Sequence, residues 1–141
     1  MKPQQIISLI SKIRDSANQL ILQELERHGI KGIVPSHGDI LVILFSRDSV
    51  PMSELASLIN KKKNTVTTLV DKLFKLVYVV KVNDPGDSRI TLVCLTQKRR
   101  SLQTAFNRVS DVLLDKVYAG ISEKEKGAVI KILLKIKNNL E

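Results

Sequence analysis

Tryptophan is absent from this 141-residue chain, aromatic side chains make up 4% of it, and there is one cysteine. Each scarcity excludes something. With so few aromatics the core must be built from Leu, Ile and Val. A single cysteine rules out an internal disulfide and fits a reducing compartment, so the expected location is the cytoplasm. Two histidines and one cysteine do not make a metal cluster at ligand spacing. There is no Gly-rich phosphate loop, and no local Ser/His/Asp or Cys/His grouping marks an activated nucleophile. The expectation is therefore no enzyme activity, no metal and no cofactor. No apolar run reaches membrane-spanning length, and the N-terminus lacks a signal-peptide core followed by a cleavage site.

Acidic residues are also in short supply. Fourteen Asp and Glu stand against 23 Lys and Arg, a formal net charge of +9. Such an excess calls for an anionic partner, nucleic acid first and a membrane surface second. Its placement narrows the choice. Residues 53–100 hold ten Lys and Arg against four Asp and Glu, whereas the rest of the chain holds thirteen against ten. The excess is concentrated in the middle. With 43% apolar residues the chain is long and apolar enough for one globular domain over 1–141.

That middle, Pro51 to Thr96, has a legible order. Ser53 to Ile59 places Leu55, Ala56, Leu58 and Ile59 on one helical stripe. Pro51 stands at its start, Glu54 in its first turn, and Asn60 at its end, where a left-handed residue can open a corner. Lys61 to Thr65 begins a second helix, with Val66, Leu69, Val70 and Leu73 as its buried stripe. Its other side offers Lys62, Lys63, Asn64, Thr67 and Thr68. Lysines suit phosphates as point charges, and Asn and Thr can bond base edges. The bland alternative, a solvated polar face with a lysine-rich turn, has about equal weight on spacing alone.

Val77 to Val82 then reads as strand, Asn83-Asp84-Pro85-Gly86-Asp87 as turn, and Arg89 to Leu95 as the returning strand. Asp87 stands where it can orient Arg89 by a charge-assisted hydrogen bond, and such an Arg suits a narrow minor groove. Thr96 reads as the N-cap of the next helix. Two helices, a tight corner and a charged hairpin are the layout of a winged helix-turn-helix, which lays its second helix in the major groove of DNA.

At these residues the chain resembles the MarR family of bacterial regulators. The run Val66-Thr67-Thr68-Leu69-Val70-Asp71-Lys72-Leu73 carries the likeness, together with Asp84-Pro85-Gly86-Asp87-Ser88-Arg89 and Leu95-Thr96. The Asp87-Ser88-Arg89 and Leu95-Thr96 pieces match the family's D-x-R…L-T wing signature. The resemblance implies a mainly α fold with a small β-hairpin wing (α+β): a winged helix-turn-helix over 33–96, with dimerisation helices at 1–32 and 97–141. It also implies a homodimer that binds an inverted-repeat operator in double-stranded DNA, most often as a repressor. A small-molecule effector would sit between the dimerisation helices and the DNA-binding part. The DNA-contact candidates are Lys62, Lys63, Asn64, Thr65, Thr67, Thr68, Lys72 and Arg89, with Asp87 as support for the wing. Three positions depart from the family pattern. Val77 stands near the usual helix-ending Gly, Val80 where a polar residue is common, and Lys61 at a corner that is often apolar. The apolar run Leu76 to Val80 therefore promises an unusually buried strand. Some family members sense oxidants through a Cys in the N-terminal helix; here that helix has none, and Cys94 reads as a buried structural residue.

The flanks read as helices. Pro3 to about Glu26 is amphipathic, with a stripe too wide for a lone surface helix. Ser36 and Asp39 resemble a capping box before the apolar run Ile40 to Phe45, and His37 reads as structural or exposed. A long helix opens near Thr96 and closes at Gly120. Ser122 caps a last helix whose acidic start and basic end suit the helix dipole. Three apolar-faced helices around so small a middle suggest an intertwined dimer. A winged helix that docks proteins without reading DNA is the alternative, with Val77 and Val80 as its docking surface. A basic membrane-surface protein is a third reading, disfavoured by the turn-rich hairpin.

Overall fold

The apolar periods of the sequence become six α-helices and three short strands in the computed structural model, which describes residues 1–141. A 3-10 turn at Pro3–Gln5 leads into α1 (Ile6–Arg27). Then come α2 (Pro35–Ser46), β1 (Ser49–Pro51), α3 (Met52–Leu58) and α4 (Lys63–Lys75). The hairpin is β2 (Val79–Asn83) with β3 (Thr91–Leu95). Helices α5 (Arg99–Val117) and α6 (Glu123–Leu140) complete the chain. This is the expected mainly α architecture with a small antiparallel wing. No helix is long and apolar enough to cross a membrane.

The corners come from helix ends that share one geometry. Gly29, Asn60 and Val77 follow α1, α3 and α4 with φ of +78°, +54° and +64°. In each case the next N–H reaches back to the carbonyl five residues earlier: Ile30 to Leu25 (2.9 Å), Lys61 to Ala56 (3.0 Å) and Tyr78 to Leu73 (3.0 Å). These are Schellman closures, which need a left-handed residue at the turn. Asn60 fills that role as expected. Val77 fills it without the freedom of a glycine, at a strain of roughly 1–3 kcal/mol. The helix thus ends with the same left-handed closure as α1 and α3, and the fold tolerates the β-branched residue.

Two expected caps are corrected. The α5 helix starts at Arg99, three residues beyond Thr96, and Lys98 stands at its N-cap without a side-chain bond. The Thr96 hydroxyl donates instead to the Val77 carbonyl at 2.8 Å. At α2 the pair Ser36–Asp39 does not form the cap. The helix begins at Pro35, and the N–H of Val34 donates to Nδ1 of His37 at 2.8 Å. His37 is buried there, so its role is structural. Burial first, and the nearby charge of Lys72 second, push its imidazole pKa below the ordinary 6.5. Ser122 does cap α6, its Oγ accepting from the N–H of Glu125 at 3.2 Å.

The sheet has the order β1-β3-β2, with Val50 opposite Val93 and Val80 opposite Cys94. The strand β1 is an addition to the sequence reading, which gave Pro51 as a helix start. Three residues are too few to show a period of two, and Pro51 is tolerated because β1 is an edge. The hairpin strands are also shorter than expected, with Val77 before β2 and Arg89 and Ile90 in the loop. Nor is the Leu76–Val80 run unusually buried. Only Val79 is, while Val77 and Val80 are exposed, because β2 is the other edge and covers the core with one face.

The core gathers Ile40, Leu41 and Leu44 of α2, Leu55 of α3, and Val66, Val70 and Leu73 of α4 against Val50, Val79 and Val93 of the sheet. Each such side chain contributes roughly 1.5–3 kcal/mol by leaving water. That packing holds α4 by one face and leaves the opposite face free. Leu58, expected in the stripe of α3, is exposed. At the chain's ends α1 packs along α5, while α6 buries none of its residues.

Candidate nucleic-acid interface

The exposed side of α4 is built from its N-terminus upward. Lys62 is the N-cap, and its side chain makes no capping bond. A lysine has no acceptor to offer, so the first two N–H groups of the helix, those of Lys63 and Asn64, stay open beside the two lysine side chains. Open amides, the positive end of the dipole and two ammonium groups together suit a phosphate. Asn64 Oδ1 accepts from the N–H of Thr65 at 2.9 Å, which leaves the Asn64 amide hydrogens free to donate.

The two threonines of the next turn are set by their own helix. Thr67 donates to the Lys63 carbonyl (2.9 Å) and Thr68 to the Asn64 carbonyl (3.1 Å). The hydroxyl hydrogens are thus turned inward. What each threonine presents outward is an acceptor oxygen and a methyl group. Those suit the amino group of adenine or cytosine and the methyl of thymine.

The wing is held by carboxylates. Asp84 Oδ2 accepts from the N–H groups of Gly86 and Asp87, both at 3.0 Å, and fixes the turn. Asp87 then grips Arg89 three times. Oδ1 accepts from the Arg89 N–H (3.0 Å) and from Nε (3.1 Å), and Oδ2 accepts from Nη2 (3.0 Å). The guanidinium, and after it the backbone N–H, hold the Asp87 carboxyl below the usual carboxylate range. The Arg89 side chain is nonetheless 89% exposed. An arginine fixed in orientation yet almost wholly in solvent is poised for an external anion or groove.

The candidates do not all share one line. Asn64, Thr68 and Lys75 follow each other at four- and seven-residue spacing along the outward face, all exposed. Lys75 was missed, although the same period that picks out Thr68 leads to it. Asp71, between them, pairs with Lys81 of β2 at 2.8 Å and joins α4 to the hairpin. Lys72 and Thr65 lie on the flank toward the α1–α2 corner. The end of the Lys72 side chain passes within 3.8 Å of the space beside the Gly32 α-carbon. Cys94 is half-buried in β3.

A second concavity lies between α1, α2 and α5, a cleft of about 630 Å³ bordered by Leu25, Val42, Phe45 and Phe106. No cluster of His, Cys, Asp or Glu able to hold a metal occurs in the chain.

A short helix, a corner closed by Asn60, a second helix with a free polar face and a hairpin carrying a clamped arginine define a winged helix-turn-helix protein. Residues 33–91 match the sequence model of the MarR family, and over that stretch the chain is similar to this family of transcriptional regulators. YdgJ of Bacillus subtilis (strain 168), an uncharacterized HTH-type transcriptional regulator, is 28% identical over 109 residues, which are 77% of this chain and 66% of YdgJ. The fold is similar to that of a MarR transcriptional regulator from Methanosarcina mazei Go1, with TM-score 0.82, 20% identity and 97% of each chain covered. A mutant MarR from E. coli complexed with operator DNA gives TM-score 0.82 at 18% identity, covering 96% of this chain and 99% of that one. At such identities the two structures establish the fold alone.

Proposed function

We propose that this regulator acts as a homodimer on an inverted-repeat operator, as a repressor, and that a small molecule in the α1–α2–α5 cleft alters its affinity. The observation that carries the DNA reading is the Asp87–Arg89 clamp on a hairpin that Lys81 ties to Asp71 of α4. One arginine is held out toward solvent at the tip of the hairpin that follows a helix whose outward groups are two lysines, an amide and two back-bonded threonines. Phosphate contacts would come from Lys62, Lys63, Lys72 and the N-terminus of α4. Base contacts would come from Asn64, Thr65, Thr67 and Thr68, and Arg89 would enter the minor groove. The MarR crystallised with operator DNA has the same fold, which supports this docking.

The dimer reading is supported by apolar surface without a partner in the chain. Ile130, Ile132, Leu133 and Leu134 of α6 and Ile6, Ile7 and Ile13 of α1 are all exposed. Contiguous apolar faces of this kind mark interfaces. A two-fold dimer would place two α4 helices about one DNA turn apart, roughly 34 Å. A ligand between the two halves of the protomer would shift that spacing and so the affinity.

The test is anisotropy of a labelled duplex at several salt concentrations, with the wild type and a Lys62→Ala/Lys63→Ala variant. Weaker binding and a shallower salt dependence in the variant are expected. Identical curves contradict the assigned face. A second reading draws on Val77, Val80 and Val82, which are exposed along the β2 edge. They suit docking of another protein, and partner binding that DNA leaves unchanged would favour that reading.

A further inference from the structure

The α1–α2–α5 cleft has an uneven chemistry. Its apolar wall is aromatic: Phe45 and Phe106 meet edge to face, with 5.4 Å between centroids and 75° between planes. Beside them Val42 is exposed on a helix whose neighbours Ile40, Leu41 and Leu44 are completely buried. The polar lining is neutral amide and hydroxyl, Asn18 and Asn107 among them, with one exception, the carboxylate of Asp39. No Lys, Arg or His lines the space, in a chain of net charge +9.

Asp39 takes part in none of the chain's ion pairs. Asp39 is exposed at the cleft; Arg14 and Lys61 are near enough to favour its charged form, yet local desolvation outweighs them and pushes its carboxyl up. A carboxylate in that position gains from a cation brought to it. Ring faces attract cations as well, and a volume near 630 Å³ is that of an ordinary small-molecule site.

We infer that the cleft takes a small aromatic cation, its ring against Phe45 and Phe106 and its ammonium or amidinium on Asp39, and rejects aromatic carboxylates. This rests on the ligand-modulation reading above and gives the chemical class. A carboxylate in the same pose would face Asp39, and Arg14 and Lys61 lie outside the lining of the cleft, so selection works by repulsion as well as attraction.

Three probes of one shape separate the possibilities: 2-naphthylmethylamine, 2-naphthylmethanol and 2-naphthoic acid, titrated calorimetrically at pH 7 into the full chain. The amine should bind at least about tenfold more tightly than the acid, the order expected for one charge-assisted hydrogen bond. Asp39→Asn should remove that preference. Val42→Trp, on an exposed position of the cleft, should abolish binding of all three. If the acid binds as well as the amine in a Val42→Trp-sensitive manner, the charge class is wrong and the cleft remains a ligand site. If none binds, or if Val42→Trp changes nothing, the cleft is no ligand site and both readings fall.

Discussion

The Thr96 hydroxyl donates to the Val77 carbonyl at 2.8 Å, across nineteen residues of chain. That bond ties the end of α4 to the residue that follows β3, so recognition helix and wing meet at one point. The Thr96 N–H adds a second link, to the Tyr78 carbonyl at 3.1 Å. The junction between α4 and the hairpin therefore includes a left-handed valine whose carbonyl the Thr96 hydroxyl holds.

Val77→Gly should stabilise the protein by about 1 kcal/mol, the relief of left-handed strain less the entropy of the added glycine. Thr96→Val should destabilise it by about 1 kcal/mol, leaving a carbonyl without its donor. Urea unfolding measures both. A Val77→Gly variant less stable than wild type contradicts the strain at this corner.

Arg89→Ala should weaken operator binding roughly tenfold or more, and Asp87→Asn by less, since the guanidinium keeps its charge and loses only its orientation. Affinities at one fixed salt concentration decide it. Unchanged binding by Arg89→Ala removes the wing from the interface.

The face of α4 should divide into two behaviours. Removing Lys62 or Lys63 should lower affinity for every sequence and reduce the salt slope by about one each. Thr68→Val or Asn64→Ala should leave the slope alone and change which bases are preferred. A Thr68 variant with unaltered base preference refutes the outward-oxygen reading.

His37 gives a pH dependence of known sign. Its folded pKa lies below the unfolded 6.5, so the unfolded chain binds the proton first. The contribution is fully present above pH 6.5 and is lost as pH falls through the folded value. His37→Gln keeps an acceptor for the Val34 N–H without titrating. Its stability should lack that acid-side loss in denaturation at stepped pH, and a parallel decline in both proteins argues against it.

Ile132→Glu/Leu133→Glu should convert a dimer to a folded monomer, because both residues are exposed in the protomer and α6 buries nothing there. Sedimentation reads the mass. A dimer that persists places the interface elsewhere.

Much of this was legible in the sequence because the signals were local. Asn60 as the left-handed corner, the stripe Val66-Leu69-Val70-Leu73, Ser122 as a cap and the Asp87–Arg89 pair each depend on residues a few positions apart. What escaped depends on distant partners. Thr96 has the chemistry of an N-cap, yet its hydroxyl is claimed by Val77, which no window of sequence contains. His37 displaced Ser36 and Asp39 because burial and the pyrrolidine of Pro35 set where α2 begins. The strand β1 exists only through β3, and the exposure of Val80 follows from β2 being an edge. The cleft needs α1, α2 and α5 together, so Asp39 gave no sign of lining it.

The central claim is that a dimer reads DNA through α4 and the wing. Selection from a randomised duplex pool at near-physiological salt, followed by sequencing, tests it most directly. The account predicts enrichment of an inverted repeat with half-sites one helical turn apart, and loss of that enrichment in Arg89→Ala. A folded protein that enriches no sequence and binds no duplex would contradict it.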